Sequence, residues 1–345
     1  MCDRYYMTNL KAILPLALLT VACTEKVPRS SDNTAPRTAP VVSSVRVNQG
    51  TYGMASHVRW VISPDSSSIL AVVDPAGVEN EAIPNGFFYG SESSNFQARM
   101  DSVWDVAPSP DWKTIAFSRA YVLSPGEADS IPPEMWQLVA RRTGMDTTTV
   151  RTGSFASSGM SMARAIAQPG TITVPADVRA AGASESAVPK MYPIALGWRV
   201  RWTSDGSAVA LGNSPARVQD DEPSATWASL DPKSGSFHST LPEGAKLANI
   251  NWVTGPVLDI SVPIDMAGAP AVKIVNGTRS FVIESSRGVI TAREGADSTA
   301  RVFTIGSGKV LAATKGGRYI LALAPRDKAV SGEVPVEAIV YVVGW

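Results

Sequence analysis

The chain has 345 residues with 31 basic and 31 acidic side chains, so no global field draws it to nucleic acid or to an acidic membrane surface. Hydrophobic residues at 44% and charged residues at 18% suffice for a packed core and exclude a disordered chain. With only Cys2 and Cys23 present, a zinc site built on paired cysteines and a disulfide framework are both excluded by count.

The first element in chain order is "NLKAILPLALLTVACTEK" (9–26), which has the three parts of a secretory signal. Lys11 supplies positive charge, Ala12 to Leu19 form an apolar run, and small residues follow. The run is too short to span a hydrocarbon core as a helix. Its end, "LLTVAC", resembles the lipobox of bacterial lipoproteins, with Ala22 before Cys23 and Thr20 where the family usually has Leu. The resemblance implies cleavage before Cys23 and lipid attachment to its thiol. Met7 gives such a signal a cleaner start than Met1. Thr24 stands where an Asp would imply retention at the inner membrane, so the resemblance implies the outer membrane of a bacterial cell envelope. Residues 1–22 are then a signal peptide and 23–44 a lipidated cysteine with its tether. The stretch 24–44, rich in Pro, Ser and Thr, could hold a domain up to about 65 Å from the bilayer at roughly 3.1 Å per residue.

Residues 45–345 are expected to be one all-β domain. No stretch after residue 50 sets apolar residues at helical spacing, and the short apolar runs are broken by Gly, Pro, Asn and Asp. "VVSSVRV" (41–47) precedes the first recognisable unit and is rich in β-branched residues, so it reads as a spare strand. A turn then recurs: Ser63-Pro64-Asp65, Ser109-Pro110-Asp111, Thr203-Ser204-Asp205-Gly206 and, weakly, Thr314-Lys315-Gly316-Gly317. Asp65 and Asp111 are 46 residues apart and Asp111 and Asp205 are 94 apart, about one and two periods of a four-stranded blade. Ile69, Ile115, Val209 and Ile320 follow at matched offsets, in runs apolar enough to be buried on both faces. Trp60, Trp104, Trp198 and Trp202 lie at odd offsets before their acids, which places them on one strand face.

The second half of the unit repeats through Phe87, Trp136 and Trp227, each followed eight residues later by Asn95, Gly144 and Gly235, types that tolerate positive φ in a hairpin. Segments 135–150 and 226–241 therefore both read as strand, turn, strand. Weaker β patterns fill 151–196, a degenerate blade or an insertion, and 242–305. These residues resemble the TolB-like, WD-repeat-like propeller repeats, with Ser66 and Trp112 where Gly is usual. The resemblance implies a β-propeller of about six to seven four-stranded blades, some degenerate, closed by strands from the two chain ends. Val336 to Val343 lacks an outer partner, and 41–47 is expected to supply it.

Candidates for chemistry are few. His57 and His238 sit on strands without a second histidine or a cysteine nearby, as hydrogen-bonded strand residues. "GMSMA" (159–163) is one residue short of a nucleophile elbow. "GSGK" (306–309) lacks the earlier Gly and the final Ser or Thr of a phosphate loop, and reads as a hairpin turn. Asp220 to Glu222 read as a solvated loop. No cofactor or metal site is expected. The favoured reading is a lipid-anchored binding scaffold, tied to the membrane through Cys23, with a protein or small-ligand partner and no nucleic acid. The alternative is a propeller enzyme of carbohydrate hydrolase or lyase type using channel-mouth carboxylates, with Asp74, Asp105 and Asp259 as contributors.

Overall fold

The structure, a computed structural model, describes residues 39–47, 56–75, 85–122, 156–157, 160–161, 165–174, 190–191, 194–195, 198–213, 227–258, 271–295, 300–325 and 336–345. The described elements are all β-strands, and most of their antiparallel pairings fall into five units of about four strands.

Unit 1 comprises Ser56–Ile62, Ser68–Pro75, Asn85–Ser91 and the first half of Phe96–Pro108. That last strand is 13 residues long. Its register shifts between Val103 and Asp105, and its second half opens unit 2, pairing with Thr114–Val122. Ala165–Thr173 adds next, followed by the two-residue strands Lys190–Met191 and Ile194–Ala195. Unit 3 is Trp198–Trp202, Val209–Asn213, Trp227–Leu230 and Phe237–His238. Unit 4 is Val272–Asn276, Arg279–Ser286, Val289–Glu294 and Arg301–Ser307. Unit 5 is Lys309–Ala313, Tyr319–Pro325, Val336–Gly344 and, from the other end of the chain, Val41–Arg46.

Strands that are apolar at every position explain how the units stack. In Ser68–Pro75, Ile69, Ala71 and Val73 enter one core while Leu70 and Val72 enter another. The first core also holds Tyr319, Leu321 and Leu323 of unit 5, whose alternate residues Ile320, Ala322 and Ala324 join Ile274, Phe281 and Ile283 of unit 4 in a third core. The core on the other side of unit 1 takes Val106, Ile115 and Phe117 of unit 2. Trp202 of unit 3 then donates through Nε1 to the Ala107 carbonyl of unit 2, 3.1 Å away. The units therefore lie in the order 4, 5, 1, 2, 3, each buried sheet serving two neighbours as its period-2 pattern requires.

The described residues form five units, with 165–195 completing unit 2. The residues 135–150 expected in that place lie outside the described residues. "GSGK" is not a hairpin turn: its flanking strands pair in different sheets, so it is the corner from unit 4 to unit 5. Gly308 there has φ 124°, in a region open only to glycine. Val253–Leu258, within the weaker β pattern of 242–305, adds to the free edge of Ser56–Ile62 with a bulge between Thr254 and Val257. Gly255 makes this possible, since a Cβ there would lie 2.9 Å from the Trp60 ring and from the Val58 carbonyl.

The strand 41–46 does pair with 336–344, from Val41 opposite Gly344 to Arg46 opposite Ile339. Arg46 adds an ion pair to buried Glu337 at 3.2 Å. This completes a sheet of four strands, yet the described sheets do not close into a ring.

Candidate functional site

The inner hairpin turns of units 1, 2 and 3 are built by the same chemistry. In unit 1 the Ser63 hydroxyl donates to Asp65 Oδ1 at 2.6 Å and accepts from the Ser68 N–H at 2.9 Å, while the Ser67 N–H donates to Asp65 Oδ1 at 3.1 Å. Ser109 and Asp111 repeat this set in unit 2 at 2.7, 3.0 and 3.1 Å. In unit 3, Asp205 Oδ1 accepts from the Ser207 N–H and hydroxyl at 3.0 and 2.9 Å. The next residue takes positive φ in every case, with Ser66 at 58°, Trp112 at 59°, Gly206 at 71° and Gly317 at 69°. Ser66 and Trp112, where the repeat family has Gly, therefore keep the backbone and pay its strain.

The unit 5 turn has Gly316 in place of the acid, and unit 1 supplies the missing carboxylate. Glu92 accepts from the Thr314 hydroxyl, from the Gly316 N–H at 2.9 Å and from the Arg318 N–H at 2.9 Å. A Cβ on Gly316 would sit 2.5 Å from Glu92 Oε2, so glycine here and glutamate there are a matched pair.

The turns also touch one another in the order of the units. The Val275 N–H of unit 4 donates to the Lys315 carbonyl at 2.8 Å, and the Lys315 N–H of unit 5 donates to the Ser66 carbonyl at 2.8 Å. Lys315 Nζ lies 3.7 Å from Asp65 Oδ2. At the step from unit 2 to unit 3, Pro110 Cδ would be 3.7 Å from a Cβ on Gly206. Beside that contact opens a cleft of about 590 Å³, lined among others by Asp111, Thr114, Thr171, Trp202, Asp205 and Lys233. Hydrogen bonds from Thr203 and Ser207 hold Asp205 at about 2, and those from Ser63 and Ser67 hold Asp65 at about 2. Burial works against Asp111, but bonds from Ser109 and Lys113 keep it below the ordinary carboxylate range. All three are anions at neutral pH.

Asp105, a candidate acid from the sequence, is buried at the junction of units 1, 2 and 3. Arg59 approaches Oδ1 at 3.3 Å and Arg201 approaches Oδ2 at 3.2 Å, where the Val200 N–H also donates at 2.9 Å. Arg59 in turn stacks over the Trp252 ring, 4.3 Å from its centroid. Burial alone would raise the Asp105 carboxyl, and the two guanidinium groups outweigh it and hold it low. A general acid needs the opposite shift, and the geometry gives this carboxylate the role of joining units. The side chain of Asp74, together with Asp259, Asp220 to Glu222 and Cys23, lies outside the described residues. His57 Nδ1 is buried without a hydrogen-bond partner, against the expectation of a bonded strand histidine. His238 lies on the outer strand of unit 3, as expected. Met160–Ser161 pairs with Ala156–Ser157, which is no strand-to-helix elbow. Among the described residues no three His, Cys, Asp or Glu side chains are grouped to hold a metal.

No sequence pattern marks the three tyrosines that stitch the row. Tyr319 donates to the Phe96 carbonyl at 3.2 Å, Tyr89 to the Trp112 carbonyl at 3.1 Å and Tyr341 to the Ser307 carbonyl at 2.6 Å. Each crosses from one unit to the next.

No family model matches the chain, and no curated protein does. Among solved structures, it is similar to an acylaminoacyl peptidase from Pyrococcus horikoshii at 13% identity and a TM-score of 0.25, over 79% of this chain and 36% of that one. The β-propeller domain of the Trilobed protease from Pyrococcus furiosus, described as having an open velcro topology, matches at 12% identity and a TM-score of 0.25, over 78% of this chain and 67% of that one. TolB from Acinetobacter baumannii matches at 8% identity and a TM-score of 0.21, over 85% and 64%. The chain thus spans about a third of the peptidase it matches. Likeness at this level carries no argument, and the functional reading rests on the chain's own strands and turns.

Proposed function

We propose that the protein is a lipid-anchored β-propeller of the cell envelope that acts as a binding scaffold for a protein or small ligand. The observation that carries this reading is the row of stacked β units, three of whose inner turns are held by the same acid-centred bonds. Such a row is a rigid, broad face, and rigidity lowers the ordering cost of binding. The pairing of 41–46 with Val336–Gly344 supports a propeller, and the Pro-, Ser- and Thr-rich composition of 24–40 supports its reading as a tether. The lipobox-like "TVAC" supports lipidation of Cys23.

Asp105 weighs against the enzyme reading, since its two arginines keep it ionised and occupied. The test is capture of partners from bacterial envelope extract by the lipidated protein. The reading expects one or a few partners retained in high salt. Retention of none, together with turnover of a polysaccharide substrate, would replace it with the enzyme. Mass spectrometry of the mature chain should find an acylated N-terminal Cys23, and an unmodified chain beginning elsewhere would remove the anchor from the reading.

A further inference from the structure

We infer that the cleft between units 2 and 3 binds a primary ammonium group against Asp205, and that the molecule already displays this contact elsewhere in itself. In units 1, 2 and 3 the turn's own hydroxyl and N–H donors go to Oδ1 of its carboxylate. At the step from unit 5 to unit 1, Oδ2 of Asp65 receives Lys315 Nζ at 3.7 Å. Lys315 occupies the second position of the preceding turn, between Thr314 and Gly316. The same position in unit 2 is Pro110, which packs toward Gly206 and has no cation to offer Asp205. Where the lysine stem would run, the chain instead opens a cleft of about 590 Å³, within the size range of small-ligand sites.

The surroundings suit an alkylammonium. Asp205 makes no ion pair among the described residues, whereas Lys113 Nζ lies 3.9 Å from Asp111 Oδ2. Lys233 lines the cleft but makes no ion pair within it among the described residues. Thr171 is buried and lines the same cleft. Pro110 and Pro232 offer apolar walls for a methylene chain. The shared chemistry is a primary amine on a short aliphatic stem, carried either by a partner's lysine or by a free diamine. This site rests on the scaffold reading only for its biological use; its chemistry stands apart from it.

Titration of the soluble chain from residue 24 with cadaverine and, separately, with the peptide Gly-Lys-Gly, followed by amide NMR, tests the inference. Saturable shifts confined to 109–114, 171–173 and 203–207 are expected, with Gly-Glu-Gly producing none. Asp205→Asn keeps the Oδ1 acceptor of the turn and should weaken binding at least tenfold. Pro110→Lys should place an internal ammonium on Asp205 and abolish binding while the melting temperature holds. Asp65→Asn should leave binding unchanged. Response to the peptide alone assigns the site to a protein partner, and response to cadaverine alone assigns it to a free amine. Absence of saturable binding, equal loss in Asp65→Asn and Asp205→Asn, or full binding by a folded Pro110→Lys protein would each overturn the inference. Capture of an envelope partner by a protein that binds no amine would sink this site and leave the scaffold standing.

Discussion

Ser66 holds φ 58° at the position that Gly206 and Gly317 fill in sister turns, and a non-glycine residue there carries about 1–2 kcal/mol of strain. Ser66→Gly should therefore stabilise the fold by up to about 1 kcal/mol, because glycine's extra freedom in the unfolded chain offsets part of the relief. Urea unfolding with an unchanged slope is the measurement. Trp112→Gly should go the other way, since the Trp112 ring stacks on Tyr89 with centroids 6.4 Å apart. Asp105→Asn should cost about 3–5 kcal/mol by removing the buried charge that Arg59 and Arg201 face. Its folded pKa is depressed, so its contribution is present above the unfolded carboxylate pKa and lost as pH falls through the folded value. The wild-type protein should lose stability on acidification more steeply than Asp105→Asn, as seen in melting temperatures across pH 3–6. Glu92→Ala should destabilise, Gly316→Asp alone should also destabilise, and the double variant should recover much of the loss. The cis carboxylates were legible as Ser-Pro-Asp. Glu92 was not, because it acts on a turn 222 residues away and no local pattern marks such a donor.

At the scale of strands, hydrophobic pattern and turn chemistry showed where the inner strands lie, and composition showed 41–47 as a strand without a local partner. Removing 41–47 should lower the melting temperature sharply, by exposing an edge of Val336–Gly344 and breaking the Arg46–Glu337 pair. Removing 24–40 should leave it unchanged, as calorimetry of the two truncations would show. Outer strands were harder to place. Unit 2 takes its third strand from 165–173, well past the turn it follows, and sequence spacing cannot register a pairing across an interruption. Phe96–Pro108 serves two units through a shift at Val103/Asp105, which reads in sequence as one run. The corner at 306–309 looks like a hairpin because Gly-Ser-Gly suits both kinds of turn.

For the whole molecule, the decisive feature is that unit 1 and unit 5, from opposite ends of the chain, share one core through Ile69, Ala71, Phe88, Tyr319 and Leu321. The period of the repeat was visible in the sequence; the order in which units pack was not, since alternate residues of a doubly buried strand look alike. This shared core makes the first and last units one cooperative body and gives the proposed scaffold its rigid face. Native-state hydrogen exchange across a denaturant series tests that claim most directly. The account predicts that amides of 69–73, 87–90, 319–324 and 338–343 exchange with one common opening free energy, equal to that of global unfolding. Separate opening of 319–343 at a much lower free energy than 69–90 would contradict it.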